Sequence, residues 1–323
     1  MGVLMNTAIL SDETGAGKDR TKFLGGSDAA AVMGVSPWKT PVQVWQEKTG
    51  RVSDDARAKE QSAKSKLFSR GHRWEQPAFE MLCEVLRDAG HEITEVSASR
   101  RYIDSQYDFL ACEIDREIMF NGELVNVEIK TVHAFAAHKW GDMDTDEVPI
   151  EYAAQVMHGL GITGRRICIV GCLVGADNIV PYYVERDDET IESMRHQCVK
   201  FWQGHVVLDT PPDPLNFQDL SILFPKDDGS SVEATENIQF AVNQLKEIKQ
   251  TIKANETQAE ELEFQIKDFM EPAATLVCNG KNLVTFKTQV TSRFNQKQFG
   301  EDHPDLFAKF KQPSESRVFR LGK

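Results

Sequence analysis

Residues 109–131 read FLACEIDREIMFNGELVNVEIKT, and this stretch decides the fold. Its two halves are rich in apolar residues and are joined by Asn121-Gly122, a dipeptide typical of two-residue β-hairpin turns because both positions tolerate positive φ. The turn fixes the register of the two strands, so Asp115 is expected to lie opposite Glu128. The sequence therefore predicts a hairpin with two acidic residues facing each other.

Alternation of side chains along the two strands separates a charged face from an apolar face. The charged face is predicted to carry Glu113, Asp115, Glu117, Glu128 and Lys130. The apolar face is predicted to carry Ile114, Ile118, Val127 and Ile129. Like charges on opposed residues are destabilising, so two facing carboxylates need a cation or a proton between them.

The charged face offers the ligands of a hard metal ion. Asp115 and Glu128 supply oxygen atoms, which suit a divalent ion such as Mg²⁺ better than zinc, since zinc prefers nitrogen and sulfur. Lys130 points the same way and could orient a water molecule or neutralise charge on a phosphate oxygen. The same residue types also occur on ordinary hairpins with a solvated acidic face, and for this motif alone that interpretation stays open.

Helices and strands alternate around the hairpin. Helices are predicted over 40–50, 73–89, 150–160 and 187–204, and further strands over 93–103, 166–174 and 178–185. Residues 51–69 are polar and carry both signs of charge, which indicates a mobile loop or a helix ordered only by ligand. This order of elements predicts a mixed α/β core.

Composition changes after the core. We expect a core over 1–210, a linker over 211–235 and a C-terminal part over 236–323, because residues 209–216 contain three prolines. The C-terminal part opens with a heptad seam over 238–269, which fits a long helix on its own core, a helical hairpin or an intermolecular coiled coil. An Asn-Gly pair after the seam predicts a second β-hairpin.

Charge is segregated along the chain of 323 residues. The formal net charge of −13 excludes a surface that coats nucleic acid generally, although not a local basic channel. Residues 273–323, called the basic tail below, carry nine Lys or Arg and four Asp or Glu. The basic tail is therefore locally +5, while the remainder is about −18.

Cysteine spacing and hydropathy exclude several classes of protein. The six cysteines form no CxxC pair, which argues against a zinc ribbon or a four-cysteine iron–sulfur cluster. No apolar stretch reaches the ~18 to 20 residues of a membrane span, and the first residues lack the pattern of a signal peptide. We expect a soluble cytoplasmic protein.

Four further motifs accompany Asp115. GGSDAAAVMGVSPW occupies 25–38, RGHRWE occupies 70–75, EIKT occupies 128–131 and YAAQ occupies 152–155. In type and order these motifs resemble those of the lambda exonuclease and YqaJ viral recombinase family, within the PD-(D/E)XK nucleases. The resemblance covers nearly the whole chain. It implies a restriction-endonuclease-like core of the α/β class (mixed α+β), in which helices flank a central mixed sheet. A C-terminal extension would add a helical part and a hairpin.

The resemblance implies a metal centre on the hairpin. Asp115, Glu128 and the carbonyl group of Ile129 would hold Mg²⁺, or alternatively Mn²⁺. Lys130 would serve the attacking water molecule.

The resemblance also implies roles for residues outside the hairpin. Glu75 would lie near the metal, and Gln155 would position the scissile phosphate or the water. Ser27 would contact a DNA phosphate at a helix N-terminus, where free amides favour anions, although from the residue pattern alone it is a plain helix N-cap. Arg20 would bind the 5′ phosphate, with Lys22 as the competing candidate.

The chain departs from the family pattern at several positions. Arg116 stands where many members have glycine, and Met157 stands where a second glutamine is common. The tryptophan expected before Ser27 is missing. Trp38 and Trp45 are expected in the core, because aromatic residues at helical spacing generally face a core.

The resemblance implies a Mg²⁺-dependent 5′→3′ exonuclease on double-stranded DNA. Its products would be 5′ mononucleotides and a 3′ single strand for phage-type recombination by single-strand annealing. Its partners would be double-stranded DNA ends and a single-strand annealing protein. It would assemble as a homotrimeric ring and act in the cytoplasm of a bacterial host. Two alternatives stay open: an endonuclease on the same fold, and a catalytically silent DNA-end-binding adaptor of an annealing protein.

Overall fold

The chain divides into two compact units, Met1–Leu223 and Phe224–Lys323. The structure is a computed structural model, and it describes residues 9–10, 19–143, 145–312 and 315–322. The first unit contains the hairpin of residues 109–131, and the second contains the basic tail.

One mixed sheet forms the centre of the first unit, with strand order β1-β2-β3-β4-β5-β6. The strands are β1 (Ile9–Leu10), β2 (Ile93–Ile103), β3 (Ala111–Phe120), β4 (Glu123–Val132), β5 (Ile167–Val174) and β6 (Asn178–Glu185). Neighbouring strands are antiparallel, except that β4 and β5 run parallel. A parallel pair needs a crossover connection, and the chain between β4 and β5 supplies one that contains a helix.

Helices cover both faces of this sheet. They are α1 (Gly26–Val32), α2 (Pro41–Lys48), α3 (Asp54–Asp88), α4 (Ile150–Thr163), α5 (Asp188–Phe201) and α6 (Phe217–Leu223). Helix α2 begins as its sequence predicts: Thr40 and Gln43 form a reciprocal capping box, and Pro41 occupies the first turn. The predicted mixed α/β class, with a mixed sheet flanked by helices, is confirmed.

Apolar side chains pack on each face of the sheet. On one face, Phe79 and Leu82 of α3 pack against Val127 of β4. On the other face, Ala29 of α1 and Ala154 of α4 belong to one cluster with residues of β3. The candidate site lies on the face covered by α1 and α4, as shown below.

Two segments differ from what the sequence suggested. Helix α3 begins at Asp54, so much of the stretch predicted as a mobile loop or a ligand-ordered helix is helical in this structure. Within the range predicted as a linker, residues 217–223 form α6. Asp219 of α6 is buried and accepts a hydrogen bond from the Thr40 hydroxyl at 2.6 Å, which ties α6 to the start of α2.

The second unit contains a long helix and the predicted hairpin. Its elements are α7 (Glu236–Met270), β7 (Thr275–Cys278), β8 (Lys281–Thr285), α8 (Gln296–Asp302) and α9 (Pro304–Phe310). Because α7 is one continuous helix over the heptad seam, the helical-hairpin alternative is wrong. Ile248, Ile252 and Leu262 of the seam are each about half exposed.

In the parts of the chain that the structure describes, no helix combines the length and the apolar character that crossing a bilayer would require.

Gly26 sets the distance between α1 and α4. A Cβ atom at this position would lie 2.7 Å from Gln155 Cγ and 3.3 Å from the Gln155 carbonyl oxygen. Because the second contact is with the main chain, a side chain at Gly26 forces the two helices apart.

We expect Gly26→Ala to destabilise the protein by about 1–3 kcal/mol, since overpacking a close contact costs roughly that much. Thermal or urea denaturation measures the change. Gly71→Ala is the matched control: a Cβ there meets nothing within 4 Å, and the helix interior of α3 favours alanine. Equal stability of the two variants would contradict the close approach of α1 and α4.

Candidate active site

The hairpin of β3 and β4 has the predicted turn and register. Asn121 and Gly122 both have positive φ, at 50° and 83°. The strands pair from Phe120–Glu123 to Arg116–Val127, which confirms the register. The paired residues end there, before the facing Asp115–Glu128 pair that the sequence predicts. Instead, the amide N–H of Ile129 donates to Asp115 Oδ2 at 2.9 Å, so a side chain takes the place of a main-chain acceptor.

The faces of β3 differ from strict alternation at this point. Ile114 packs in the cluster with α1 and α4, whereas Ile118 packs with Val127 against α3. Residues four apart on a regular strand share a face, so the predicted grouping of Ile114 with Ile118 is wrong. The change of face coincides with Asp115, where the pairing of β3 with β4 stops.

Glu128, Lys130 and Gln155 form a closed triangle of polar contacts. Lys130 Nζ contacts Glu128 Oε1, and Gln155 Nε2 donates to the same oxygen at 2.5 Å. Gln155 Oε1 in turn accepts from Lys130 Nζ at 3.2 Å. The three residues predicted for the site from β4 and α4 are therefore in direct contact.

Tyr152 joins this triangle from α4. It lies three positions before Gln155, which places both side chains on one helix face. Lys130 Nζ lies 5.1 Å from the centroid of the Tyr152 ring, within reach of a cation–π contact. No site role is predicted for Tyr152 from the sequence. Its position in the YAAQ motif is the signal that could have indicated one.

Electrostatics at the site leave an excess of negative charge. Burial, reinforced by the Glu128 carboxylate, raises the pKa of Asp115 to about 7, although Lys130 and the amide of Ile129 act in the opposite direction. Burial disfavours the Lys130 ammonium, but Glu128 and Asp115 outweigh it and raise the pKa of Lys130 above its ordinary value. The partly buried carboxylate of Asp115 and the buried carboxylate of Glu128 therefore share one ammonium, which stays charged.

The donor set fits a hard divalent ion. Carboxylate oxygens of Asp115 and Glu128 and the carbonyl oxygen of Ile129 are the ligand types that Mg²⁺ prefers. The raised pKa of Asp115 shows that this position needs a proton or a cation to offset Glu128. Among the described residues no group of three or more His, Cys, Asp or Glu side chains could hold a metal, so the remaining ligands would come from the main chain, water or substrate.

Glu75 is held by Arg116. Arg116 Nη1 lies 2.7 Å from Glu75 Oε1 and donates to the main-chain oxygen of Asp115 at 2.6 Å. The shared contact with Arg116 places Glu75 near the main chain of Asp115, and its negative charge contributes to the raised pKa of Asp115. The sequence does not predict Arg116 as the partner of Glu75. The signal that could have indicated it is a charged residue at an otherwise apolar strand position.

The start of α1 differs from the prediction. Gly25, not Ser27, is the N-cap, and Ser27 is the second residue of the helix with an exposed side chain. The Gly25 amide donates to Asp28 Oδ2 at 3.2 Å, so the third helical residue satisfies the N–H of the N-cap residue. Through Gly26, the first turn of α1 touches Gln155, so Ser27 lies one residue from the contact between α1 and the site.

Arg20 reaches the charged end of β3. Its Nη1 lies 3.8 Å from Glu113 Oε2, two residues before Asp115. A buried ion pair holds the Arg20 backbone: Lys48 Nζ lies 2.6 Å from Asp28 Oδ2 and donates to the Arg20 carbonyl at 2.7 Å. The side chain of the competing candidate, Lys22, is largely exposed, and its Nζ lies 3.7 Å from Asp19 Oδ2.

The two tryptophans of the N-terminal region have different environments. Trp45, on α2, is 6% exposed, which confirms its prediction as a core residue. Trp38 is 56% exposed, so its prediction is wrong. The reasoning from helical spacing fails for Trp38 because this residue precedes α2. Its ring centroid lies 5.6 Å from that of Tyr152, and the Tyr152 ring in turn lies against Lys130 Nζ.

Comparison with known proteins identifies relatives. Residues 17–166 match the family model described as the YqaJ-like viral recombinase domain. The uncharacterized protein YqaJ of Bacillus subtilis (strain 168) is 29% identical over 311 residues, which covers 94% of this chain and 92% of that protein.

Two solved structures also align with this chain. LHK-Exo, an alkaline exonuclease from Laribacter hongkongensis, is 16% identical with a TM-score of 0.40, covering 59% of this chain and 91% of that chain. A phage related exonuclease from Haemophilus somnus 129PT is 15% identical with a TM-score of 0.36, covering 58% and 95%.

Asp115→Asn is expected to stabilise the metal-free protein more at pH 8 than at pH 5. Because the pKa of Asp115 is raised to about 7, its carboxyl group is protonated at pH 5, whereas at pH 8 it carries a charge beside Glu128 that costs stability. The amide keeps an acceptor for Ile129. Melting temperatures in EDTA measure the effect, expected to exceed about 2 °C at pH 8.

Asp177→Asn, at an exposed turn position between β5 and β6, is the control and should change neither melting temperature. Added Mg²⁺ should stabilise the wild type at pH 8 and leave Asp115→Asn unaffected, since only the former keeps both carboxylates. An equal gain at both pH values would contradict the raised pKa.

Proposed function

We propose that the chain is a Mg²⁺-dependent deoxyribonuclease that degrades double-stranded DNA from its 5′ ends, which the match of residues 17–166 to the YqaJ-like viral recombinase domain supports. The observation that carries the proposal is the pair of carboxylates, Asp115 partly buried and Glu128 buried, beside the ammonium of Lys130. The products would be 5′ mononucleotides and a 3′ single strand.

Asp115, Glu128 and the Ile129 carbonyl would hold the divalent ion. Such an ion supplies Lewis-acid polarisation of the scissile phosphate and lowers the pKa of a water molecule. Of the chain's own groups, Asp115 and Glu128 contribute negative charge that offsets the cation. The amide of Ile129 orients Asp115 by its hydrogen bond to Oδ2.

Lys130 acts as a fixed cation. Its raised pKa keeps it protonated at neutral pH, so it can donate hydrogen bonds to an attacking water molecule or a phosphate oxygen but cannot accept a proton. Gln155 is a positioning residue, because it bonds both Lys130 and Glu128 and so fixes the ammonium relative to the carboxylate. Arg116 is also a positioning residue, because it bonds both Glu75 and the main-chain oxygen of Asp115.

Arg20 and Ser27 would bind the DNA phosphates. Arg20 is favoured over Lys22 for the 5′ phosphate, because it reaches β3 near Asp115 and its backbone is anchored by Lys48. Ser27 adjoins the contact between α1 and Gln155, which would place a phosphate at its hydroxyl beside the reacting groups.

The proposed reaction has a cellular setting. A 3′ single strand made at a duplex end is the substrate of a single-strand annealing protein, so we propose such a partner in phage-type recombination, in the cytoplasm of a bacterial host. A homotrimeric ring around the duplex is the proposed assembly. The segregation of charge, with a basic tail on an otherwise acidic chain, supports a local rather than a general DNA-binding surface.

We expect Asp115→Ala and Lys130→Ala to lower hydrolysis of linear duplex DNA by at least about 10²–10³-fold while leaving DNA binding largely intact. Gln155→Ala should cost roughly 10–100-fold, as is typical of a group that orients others. Release of nucleotides from linear duplex, with 5′ phosphate or 5′ hydroxyl and with Mg²⁺ or EDTA, is the measurement.

Glu123→Gln is the matched control for these substitutions, because Glu123 lies on the same strand but pairs at the surface with Arg166. Its rate should equal that of the wild type. Cleavage of covalently closed circles would favour an endonuclease, and absence of cleavage under all conditions would favour a DNA-end-binding adaptor; either result would overturn the exonuclease proposal.

Trp38→Ala is expected to weaken productive binding of DNA ends, because the exposed ring beside Tyr152 offers a face for a base. KM should rise by about fivefold or more with kcat changing less, and Trp38→Phe should restore most of the loss. Phe217→Ala, at an exposed aromatic residue on α6, is the control. Equal effects of Trp38→Ala and Phe217→Ala would contradict stacking at Trp38.

A further inference from the structure

The basic tail, residues 273–323, combines exposed aromatic rings with positive charge. No Asp or Glu occurs between residues 273 and 300, which contain four Lys or Arg. Four phenylalanines of the tail are exposed: Phe286 (49%), Phe294 (72%), Phe310 (74%) and Phe319 (74%). Each has a Lys or Arg next to it in the sequence, namely Lys287, Arg293, Lys309 with Lys311, and Arg320.

Cations also lie against the rings in space. Lys267 Nζ, at the end of α7, lies 5.7 Å from the centroid of the Phe286 ring. Lys309 Nζ lies 5.9 Å from the centroid of Phe310. Residues 286–295, which contain Phe286 and Phe294, form neither helix nor strand, so their side chains can adjust to a flexible ligand.

The exposed phenylalanines of α7 lack this charge. Phe240, Phe264 and Phe269 of α7 are also exposed. Helix α7 carries four Lys and seven Asp or Glu, a net charge of −3. An apolar partner would explain exposed rings but not the flanking cations of the basic tail. A ligand with both flat apolar faces and negative charge explains both.

Nucleic acid is such a ligand, and its strandedness follows from the rings. In a duplex the base faces are stacked on each other, whereas a single strand presents them to aromatic side chains. Lys and Arg beside the rings would contact the phosphates without regard to sequence. Stacking on phenylalanine tolerates every base, because every base has a π-face.

We propose that the basic tail is a binding surface for single-stranded DNA, in which Phe286, Phe294, Phe310 and Phe319 stack on bases and the adjacent Lys and Arg bind phosphates. Binding is independent of sequence and of hydrolysis. Only the source of the strand, the 3′ single strand left at a degraded end, rests on the proposed function.

The test uses the full chain in EDTA and a fluorescein-labelled single strand of about 30 nucleotides and mixed sequence, long enough to span several stacking sites. Fluorescence anisotropy gives the dissociation constant. The variant with all four tail phenylalanines changed to alanine should bind at least about tenfold more weakly than the wild type. Its affinity for blunt duplex of the same length should change by less than about twofold, since stacked bases are not available to the rings.

The matched control changes Phe240, Phe264 and Phe269 of α7 to alanine, which removes rings of similar exposure from an acidic environment. Its affinity for the single strand should equal that of the wild type. A variant with Lys287, Arg293, Lys309 and Arg320 changed to glutamine should bind with a weaker salt dependence. Its logarithmic slope should fall by about 0.7 for each phosphate that the variant no longer neutralises.

Unchanged binding of the single strand by the tail variant, an equal loss in the α7 control, or an equal loss for duplex would each overturn the proposal. Circular dichroism and the melting temperature, both expected at wild-type level in the tail variant, verify that the fold persists. Failure of the wild type to hydrolyse DNA would count against the proposed function alone, because the binding test contains no Mg²⁺.

Discussion

Two carboxylates held beside a single ammonium are the constraint on which the site depends. Partial burial of Asp115, together with its repulsion by Glu128, raises the pKa of Asp115 to about 7. Lys130 offsets one charge but not both. The surplus charge costs stability in the metal-free protein and favours a cation, so metal binding at the proposed site would be linked to folding.

The rest of the first unit holds this arrangement in place. The Asn121-Gly122 turn sets the register of β3 and β4, and α4 brings Gln155 onto both Glu128 and Lys130. Helix α1 can approach α4 closely only because residue 26 is glycine. Hydrophobic packing by α3 on the opposite face of the sheet supports the strands that carry the charged residues.

Local patterns predicted much of this, and long-range contacts limited the rest. The hairpin and its register follow from two turn residues, and the contact of Gln155 with the site follows from a motif on α4. The face of the sheet on which Ile114 lies could not be predicted, because side-chain alternation does not indicate where the pairing of two strands ends. The charge of Arg116 at an apolar strand position is a local signal, but it does not identify the partner Glu75, which lies 41 residues away in the sequence. The exposure of Trp38 depends on where α2 begins.

A crystal of the protein soaked in Mn²⁺, measured at the manganese absorption edge, tests the central claim most directly. Mn²⁺ has the oxygen preference of Mg²⁺ and is visible by anomalous scattering. The account predicts an anomalous peak within about 2.5 Å of carboxylate oxygens of both Asp115 and Glu128 and of the Ile129 carbonyl oxygen. A peak elsewhere, or no peak with Lys130 still bound to Glu128, would contradict it.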